Sequence, residues 1–243
     1  MRYKLILEYD GSGLVGWQAQ ADGISVQSLI QDAIYKFCKE HTEVIACGRT
    51  DAGVHALGMV AHFDINKDED ANTVMRAVNF HLADAKVAVL SCDKVSDDFH
   101  ARFSCQRRDY KYIILNRRAP AVLDKDRVWW VPRPLDIDAM RRAADDLIGN
   151  HDWTSFRAAE CQAKSPIKTL DNVSIEITDY DLIIIRFSAK SFLHHQVRNM
   201  VGTLVEIGLG KPYDIKEVLA AKDRSAAGST APAYGLYFVS AEY

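Results

Sequence analysis

The hydrophobic pattern of this chain switches period several times, and that alternation limits the fold more than any other feature. Tyr3, Leu5, Leu7 and Tyr9 alternate with Lys4, Ile6 and Glu8, the two-residue period of a strand, here apolar enough to be central in a sheet. The chain then passes through Asp10-Gly11-Ser12-Gly13, read as a flexible loop with Trp17 and Gln18 exposed on it. Val26, Leu29, Ile30, Ala33, Ile34 and Phe37 recur at three-and-four spacing behind Ser25, a residue able to cap a helix over 26–39. Short strands are expected at 43–47 and 60–65. Asn72 is placed to cap a helix through Val74, Ala77, Val78 and Leu82, and 86–90 alternates like a strand.

The second half repeats this kind of order. Tyr110 to Leu115 and Val128 to Val131 are strand-like, and Asp136 caps a helix through Met140, Ala144 and Leu147 that Gly149 stops. Val173, Ile175 and Ile177 alternate with polar residues, and Asp179-Tyr180-Asp181 turns the chain into Leu182 to Phe187 as a hairpin. Val197, Met200, Val201, Leu204 and Val205 mark another helix, Asp214 starts a shorter one, and a last strand lies near Leu236 to Val239. The 243 residues, 48% of them hydrophobic, suffice for one large core or two modest ones. The expected fold is α+β: two similar halves, 1–100 and 101–243, each a mostly antiparallel sheet with helices on one face and the other face open to a ligand.

Between two apolar runs lies Cys47-Gly48-Arg49-Thr50-Asp51-Ala52-Gly53-Val54-His55-Ala56. Its glycines permit close backbone approach and positive φ, so that the carboxylate and guanidinium can be held on a fixed loop between strands. A simple turn carrying two solvated charges would use the same residue types. Other features bear on the choice. Six cations (Arg102, Arg107, Arg108, Lys111, Arg117 and Arg118) face one anion, Asp109, between Ala101 and Arg118, although the whole chain carries a formal charge of -3. Phe103, Tyr110 and Tyr112 are interleaved with them, and guanidinium groups for phosphates with rings for stacking suit an RNA with unpaired bases as well as they suit a solvated strand face. His194 and His195 precede Arg198 at the start of a helix. Adjacent histidines on a helix point about 100° apart and make a poor metal pair, while the macrodipole disfavours a cation so near a helix N-terminus, so something anionic should lie close by.

The five cysteines are odd in number and show no C-x-x-C spacing, which argues against a disulfide framework and a zinc ribbon and fits a reducing cytoplasm. The apolar run after Met1 is too short for a signal-peptide core, and no membrane span is expected.

Gly48-Arg49-Thr50-Asp51-Ala52-Gly53-Val54-His55-Ala56, Phe99-His100-Ala101-Arg102-Phe103, Arg108-Asp109-Tyr110-Lys111-Tyr112-Ile113, His194-His195-Gln196-Val197-Arg198-Asn199 and Gly235-Leu236-Tyr237 together resemble, in order and over essentially the whole chain, the TruA family of tRNA pseudouridine synthases. The resemblance implies two halves joined around a central RNA-binding cleft, a homodimer without cofactor or metal, and isomerisation of neighbouring uridines (tRNA positions 38–40) in the anticodon stem-loop. It places Asp51 as the catalytic carboxylate, Arg49 as the base-flipping arginine, Tyr110 as the ring stacked on the target uracil, Arg198 as the arginine that pairs with the aspartate, and Leu236 as a pocket wall. Arg102, Arg107 and Arg108 are expected to bind the RNA. Asp109 before the tyrosine, Met59, and Ala83 after Leu82 depart from the family's usual pattern, touching RNA contact and loop rigidity.

The chemistry fits a lone carboxylate. Breaking N1 to C1′, turning the uracil and rejoining through C5 needs a group that adds to the sugar carbon or removes a C2′ proton, and the sequence leaves both routes open. A glycoside hydrolase needs a second carboxyl, which no motif supplies beside Asp51. A non-catalytic RNA-binding module would leave Asp51 without a purpose, since a carboxylate repels phosphates.

Overall fold

The computed structural model describes residues 1–243, packed as two compact units, Met1–Gln106 with Tyr237–Tyr243, and Arg107–Leu236. The first contains β1 (Arg2–Tyr9), α1 (Val26–Cys38), β2 (Ile45–Ala46), β3 (His55–Asp64), α2 (Ala71–His81) and β4 (Val87–Val95). The second contains β5 (Arg107–Leu115), β6 (Trp129–Trp130), α3 (Ile137–Asp145), β7 (Gly149–Asp152), β8 (Ile167–Leu170), β9 (Asn172–Ile177), β10 (Leu182–Ala189), α4 (Gln196–Gly208) and α5 (Ile215–Ala221). The chain closes on β11 (Leu236–Glu242), which belongs to the first unit from Tyr237 onward.

In the first unit β1 lies between β3 and β4, antiparallel to both, and β2 adds antiparallel to β3. Tyr3, Leu5, Leu7 and Tyr9 are all buried, as their alternation requires, and the Tyr3 ring stacks on Phe63 of β3 at 5.5 Å. Helix α1 packs on α2, and α2 on β4. Ser25 begins α1 with a reciprocal cap: its hydroxyl accepts from the Ser28 N–H at 3.0 Å and the Ser28 hydroxyl accepts from the Ser25 N–H at 3.2 Å. Helix α2 starts earlier than expected, capped by Asp70 rather than Asn72, because the Asp70 carboxylate reaches the Thr73 N–H at 3.1 Å.

In the second unit β10 lies antiparallel between β5 and β9. The register aligns Tyr110, Phe187 and Val173, then Tyr112, Ile185 and Ile175, and all six are buried. Helix α3 packs against β9 and α4. The opposite face carries Lys111 beside Arg186, and Asp109 beside Ser188. Asp136 caps α3 as expected, through the Ala139 N–H at 2.9 Å. Gly149 does not stop that helix, which ends at Asp145; at φ +120° it opens the β7–β8 ribbon, whose four-residue strands are too short for a readable period. No helix is long and apolar enough to cross a membrane.

Candidate active site

The segment between β2 and β3 is fastened from below by the loop that follows β1. Thr50 is buried and its hydroxyl lies 2.8 Å from the Tyr9 hydroxyl, while its carbonyl accepts from the Trp17 N–H at 3.0 Å. Gly16, at φ +98°, passes so close that a Cβ there would sit 2.5 Å from the Thr50 carbonyl oxygen, and one on Gly11 would sit 2.2 Å from that of Val54. Only glycine permits these approaches. The Gly11 N–H lies 3.0 Å from Nδ1 of the buried His55, the Asp10 carboxylate lies 3.2 Å from the same nitrogen, and the His55 ring stacks on Tyr237 at 4.7 Å. The turn itself closes through Val54 N–H to the Asp51 carbonyl at 3.1 Å, with Gly53 at φ +80°. With Thr50 anchored inward, Arg49 is exposed and Asp51 half-buried.

Two expectations about this region fail for the same reason. The segment 10–17 is a packed support rather than a flexible loop, and Trp17 is 3% exposed because it fills the space under the turn, its ring 6.4 Å from Tyr9. Local composition marks a loop but does not say what packs on it.

Arg102 lies on a compact turn in the same unit. The His100 Nδ1 accepts from the N–H groups of Arg102 and Phe103, both at 3.2 Å, and the Ser104 hydroxyl accepts from the His100 N–H at 3.0 Å. This leaves the Phe103 ring 76% exposed with the Arg102 guanidinium 5.7 Å from its centroid.

The second unit holds Arg107, Arg108, Tyr110, Arg198 and Leu236. Tyr110 meets the Phe192 ring edge-on at 5.1 Å. Tyr112, expected as a stacking ring, is instead core. It is fully buried, its hydroxyl donates to the Pro232 carbonyl at 2.7 Å and its ring touches Gly235. Burial pushes its phenol well above the ordinary value, with Arg198 opposing more weakly. Alternation separates the two neighbouring arginines. Arg107 is exposed beside Asp109 at 3.2 Å, whereas Arg108 is buried and donates to the Lys190 carbonyl.

His194 and His195 stand before α4 rather than on it. His195 is its N-cap residue at φ +62°, and the two rings are 4.0 Å apart, so the helical angle expected between them does not apply. Beside Arg198, where an anionic group is expected, Nε donates to a neutral main-chain acceptor, the Ala231 carbonyl, at 2.8 Å, and the Ala231 N–H donates back to the Arg198 carbonyl at 3.1 Å. Leu236, 5% exposed, follows the short turn Ala233–Gly235.

A family profile described as tRNA pseudouridine synthase matches residues 5–104 and 143–243, spans that hold the Asp51 turn and the Arg198 helix. The chain belongs to the tRNA pseudouridine synthase family. It is 55% identical to the tRNA pseudouridine synthase A of Rhodospirillum centenum (strain ATCC 51521 / SW), covering 100% of this chain and 99% of that one. It is 52% identical to the protein of that name from Ehrlichia canis (strain Jake), covering 100% of both, and 51% identical to that of Brucella ovis (strain ATCC 25840 / 63/290 / NCTC 10512), covering 100% and 98%. As a tRNA pseudouridine synthase it is an isomerase acting on tRNA. Of its departures from the family's usual pattern, Met59 is fully buried with its sulfur 3.5 Å from Cys47 Sγ, so it bears on the core. Asp109 is held by Arg107 and the Ser188 hydroxyl.

The sequence reading missed the supports: Tyr9, Gly11 and Gly16 beneath the turn, Phe192 beside Tyr110, and the 227–231 strap beside α4. For the first group the spacing of glycines after β1 was a usable signal. The others are long-range pairings with no local mark.

Proposed function

We propose that this synthase converts neighbouring uridines of the tRNA anticodon stem-loop to pseudouridine with Asp51 as its catalytic carboxylate, without a cofactor, as a homodimer in the cytoplasm. The observation that carries the reading is the Asp51 turn. Its backbone is fixed by Tyr9, Trp17 and two glycines in close contact, so the carboxylate projects from a rigid support. Such support lets a group meet a reacting atom without first being ordered.

The reaction exchanges one bond for another within a single nucleotide. The N1–C1′ bond breaks, the uracil turns without leaving, and a C5–C1′ bond forms as the C5 proton is lost. Asp51 acts either by adding to C1′ or by taking a proton from C2′. A uridine stacked in a stem has to be flipped out first, at about a few kcal/mol, and the exposed Arg49 beside Asp51 is suited to fill the vacated stack. Tyr110, steadied by Phe192, offers its ring to the extruded base, Leu236 walls the pocket against water, and Arg198 contributes a positive charge to substrate binding. The exposed Arg102 and Arg107 serve the phosphates, while Arg108, committed to the Lys190 carbonyl, braces the chain after β10 behind them.

The test uses tRNA carrying tritium at uracil C5, which isomerisation must release. Asp51→Asn is expected to bind tRNA with the affinity of the parent and to release tritium at least 1,000-fold more slowly, on the order expected for loss of a nucleophile or base. Release at the parent's rate would remove Asp51 from the mechanism.

A further inference from the structure

The segment from Ala227 to Ala231 is tied to α4 and its surroundings by a polar network that serves no evident purpose on the surface. The Gly228 N–H donates to the Thr203 hydroxyl at 2.9 Å, and that hydroxyl donates to the Asn199 carbonyl at 2.9 Å. One carboxylate oxygen of Glu206 takes both the N–H and the hydroxyl of Ser229, at 3.0 and 2.7 Å. Its other oxygen takes the Tyr213 hydroxyl at 2.8 Å and Lys211 Nζ at 3.0 Å. The Thr230 hydroxyl donates to Asn199 Oδ1 at 2.7 Å, and Arg224 reaches both groups, at 3.0 and 3.1 Å, as well as the Ala227 carbonyl at 3.3 Å. Asn199 is fixed from its other end, its amide donating to the Phe156 carbonyl at 2.7 Å.

Steric fit adds to the polar ties. A Cβ on Gly202 would lie 1.7 Å from the Ser229 carbonyl oxygen, so the strap rests directly on the α4 backbone one turn beyond Arg198. Where the strap ends, Ala231 exchanges two hydrogen bonds with Arg198, and the next residue, Pro232, accepts from Tyr112. Charge at the far end is stable: although burial works to raise it, hydrogen bonds from Ser229, Lys211 and Tyr213 hold the Glu206 carboxyl near 2.

We propose that Glu206, Arg224 and Thr230 are positioning residues for catalysis: by fixing the 227–231 strap against α4 they hold the Ala231 carbonyl where it orients the Arg198 guanidinium toward substrate. The inference rests on the reading of Arg198 as a substrate-binding group. A guanidinium fixed through Nε retains its terminal nitrogens in a set plane, and planar presentation is what distinguishes arginine from a mobile ammonium. Releasing the carbonyl costs aim rather than charge. A misplacement of about an ångström in a catalytic constellation costs up to a hundredfold in rate.

The experiment is a cycle of single-turnover tritium release and tRNA binding on full-length protein. Glu206→Ala and Thr230→Val are made alone and each combined with Arg198→Ala, and folding is followed by thermal unfolding. Thr230→Val keeps the shape of the side chain and so preserves the test if Glu206→Ala does not fold. Alone, each variant is expected to lower the rate about tenfold while the tRNA dissociation constant stays within about twofold. In the Arg198→Ala background the same changes are expected to have no further effect, because a group acting through Arg198 has nothing left to aim. Equal losses in both backgrounds, or parent rates for both single variants, would overturn the positioning role while leaving Arg198 in place. If Arg198→Ala itself reacts at the parent's rate, it is the functional reading of Arg198 that fails, and the inference with it.

Discussion

His62 shows how a single side chain can tie stability to pH in this protein. It is 2% exposed in β3, its Nδ1 accepts from the Ala101 N–H at 3.2 Å, and burial, with Arg2 and His100 nearby, pulls it from 6.5 down to about 4. Because the folded form has the lower value, the unfolded chain binds the extra proton first. The neutral ring's contribution is therefore full above pH 6.5 and is lost as pH falls from there toward 4. The melting temperature of the parent is expected to fall through that window, and His62→Gln, which retains an acceptor without titrating, is expected to flatten the profile; unchanged curvature in the variant would assign the effect elsewhere. At the Asp51 turn the logic is steric instead. Arg49, Thr50 and Asp51 are adjacent polar residues in the sequence, and burial of Thr50 on Tyr9 is what sends the other two outward.

Elements came out of periodicity where they are long and one-sided. The alternation in β1 and β10 and the three-and-four spacing in α1 reflect burial of one face, a local property of the chain, whereas α4 is buried around most of its circumference. What joins elements was less legible. The loop after β1 has the composition of a free linker, yet it carries the Asp51 turn, and the reason lies in contacts with residues some forty positions away. Gly16→Ala tests this support. A Cβ at φ +98° and 2.5 Å from the Thr50 carbonyl oxygen must push the turn outward. Tritium release is expected to fall at least tenfold with tRNA affinity nearly retained; a parent rate would mean that the turn holds its geometry without the loop.

At the scale of the molecule, charge has to be read locally. A chain with net charge -3 carries exposed Arg102 in its first unit and exposed Arg107 in its second, each against an aromatic or acidic neighbour. If both contact tRNA phosphates, Arg102→Ala and Arg107→Ala should each weaken binding across substrates and reduce the slope of log affinity against log salt by about one; parent slopes would mark them as solvated surface. The amino-acid sequence by itself determined the types of the longer elements, the α+β class and the membership of a tRNA pseudouridine synthase family, because hydrophobic period and motif order are properties of neighbouring residues. Only the tertiary structure decided which aromatic is core, which arginine is buried, that Trp17 lies under the Asp51 turn, and that a strap held by Glu206 and Arg224 ends on Arg198. Those outcomes depend on close packing and hydrogen bonding between groups far apart along the chain, and no local pattern encodes them.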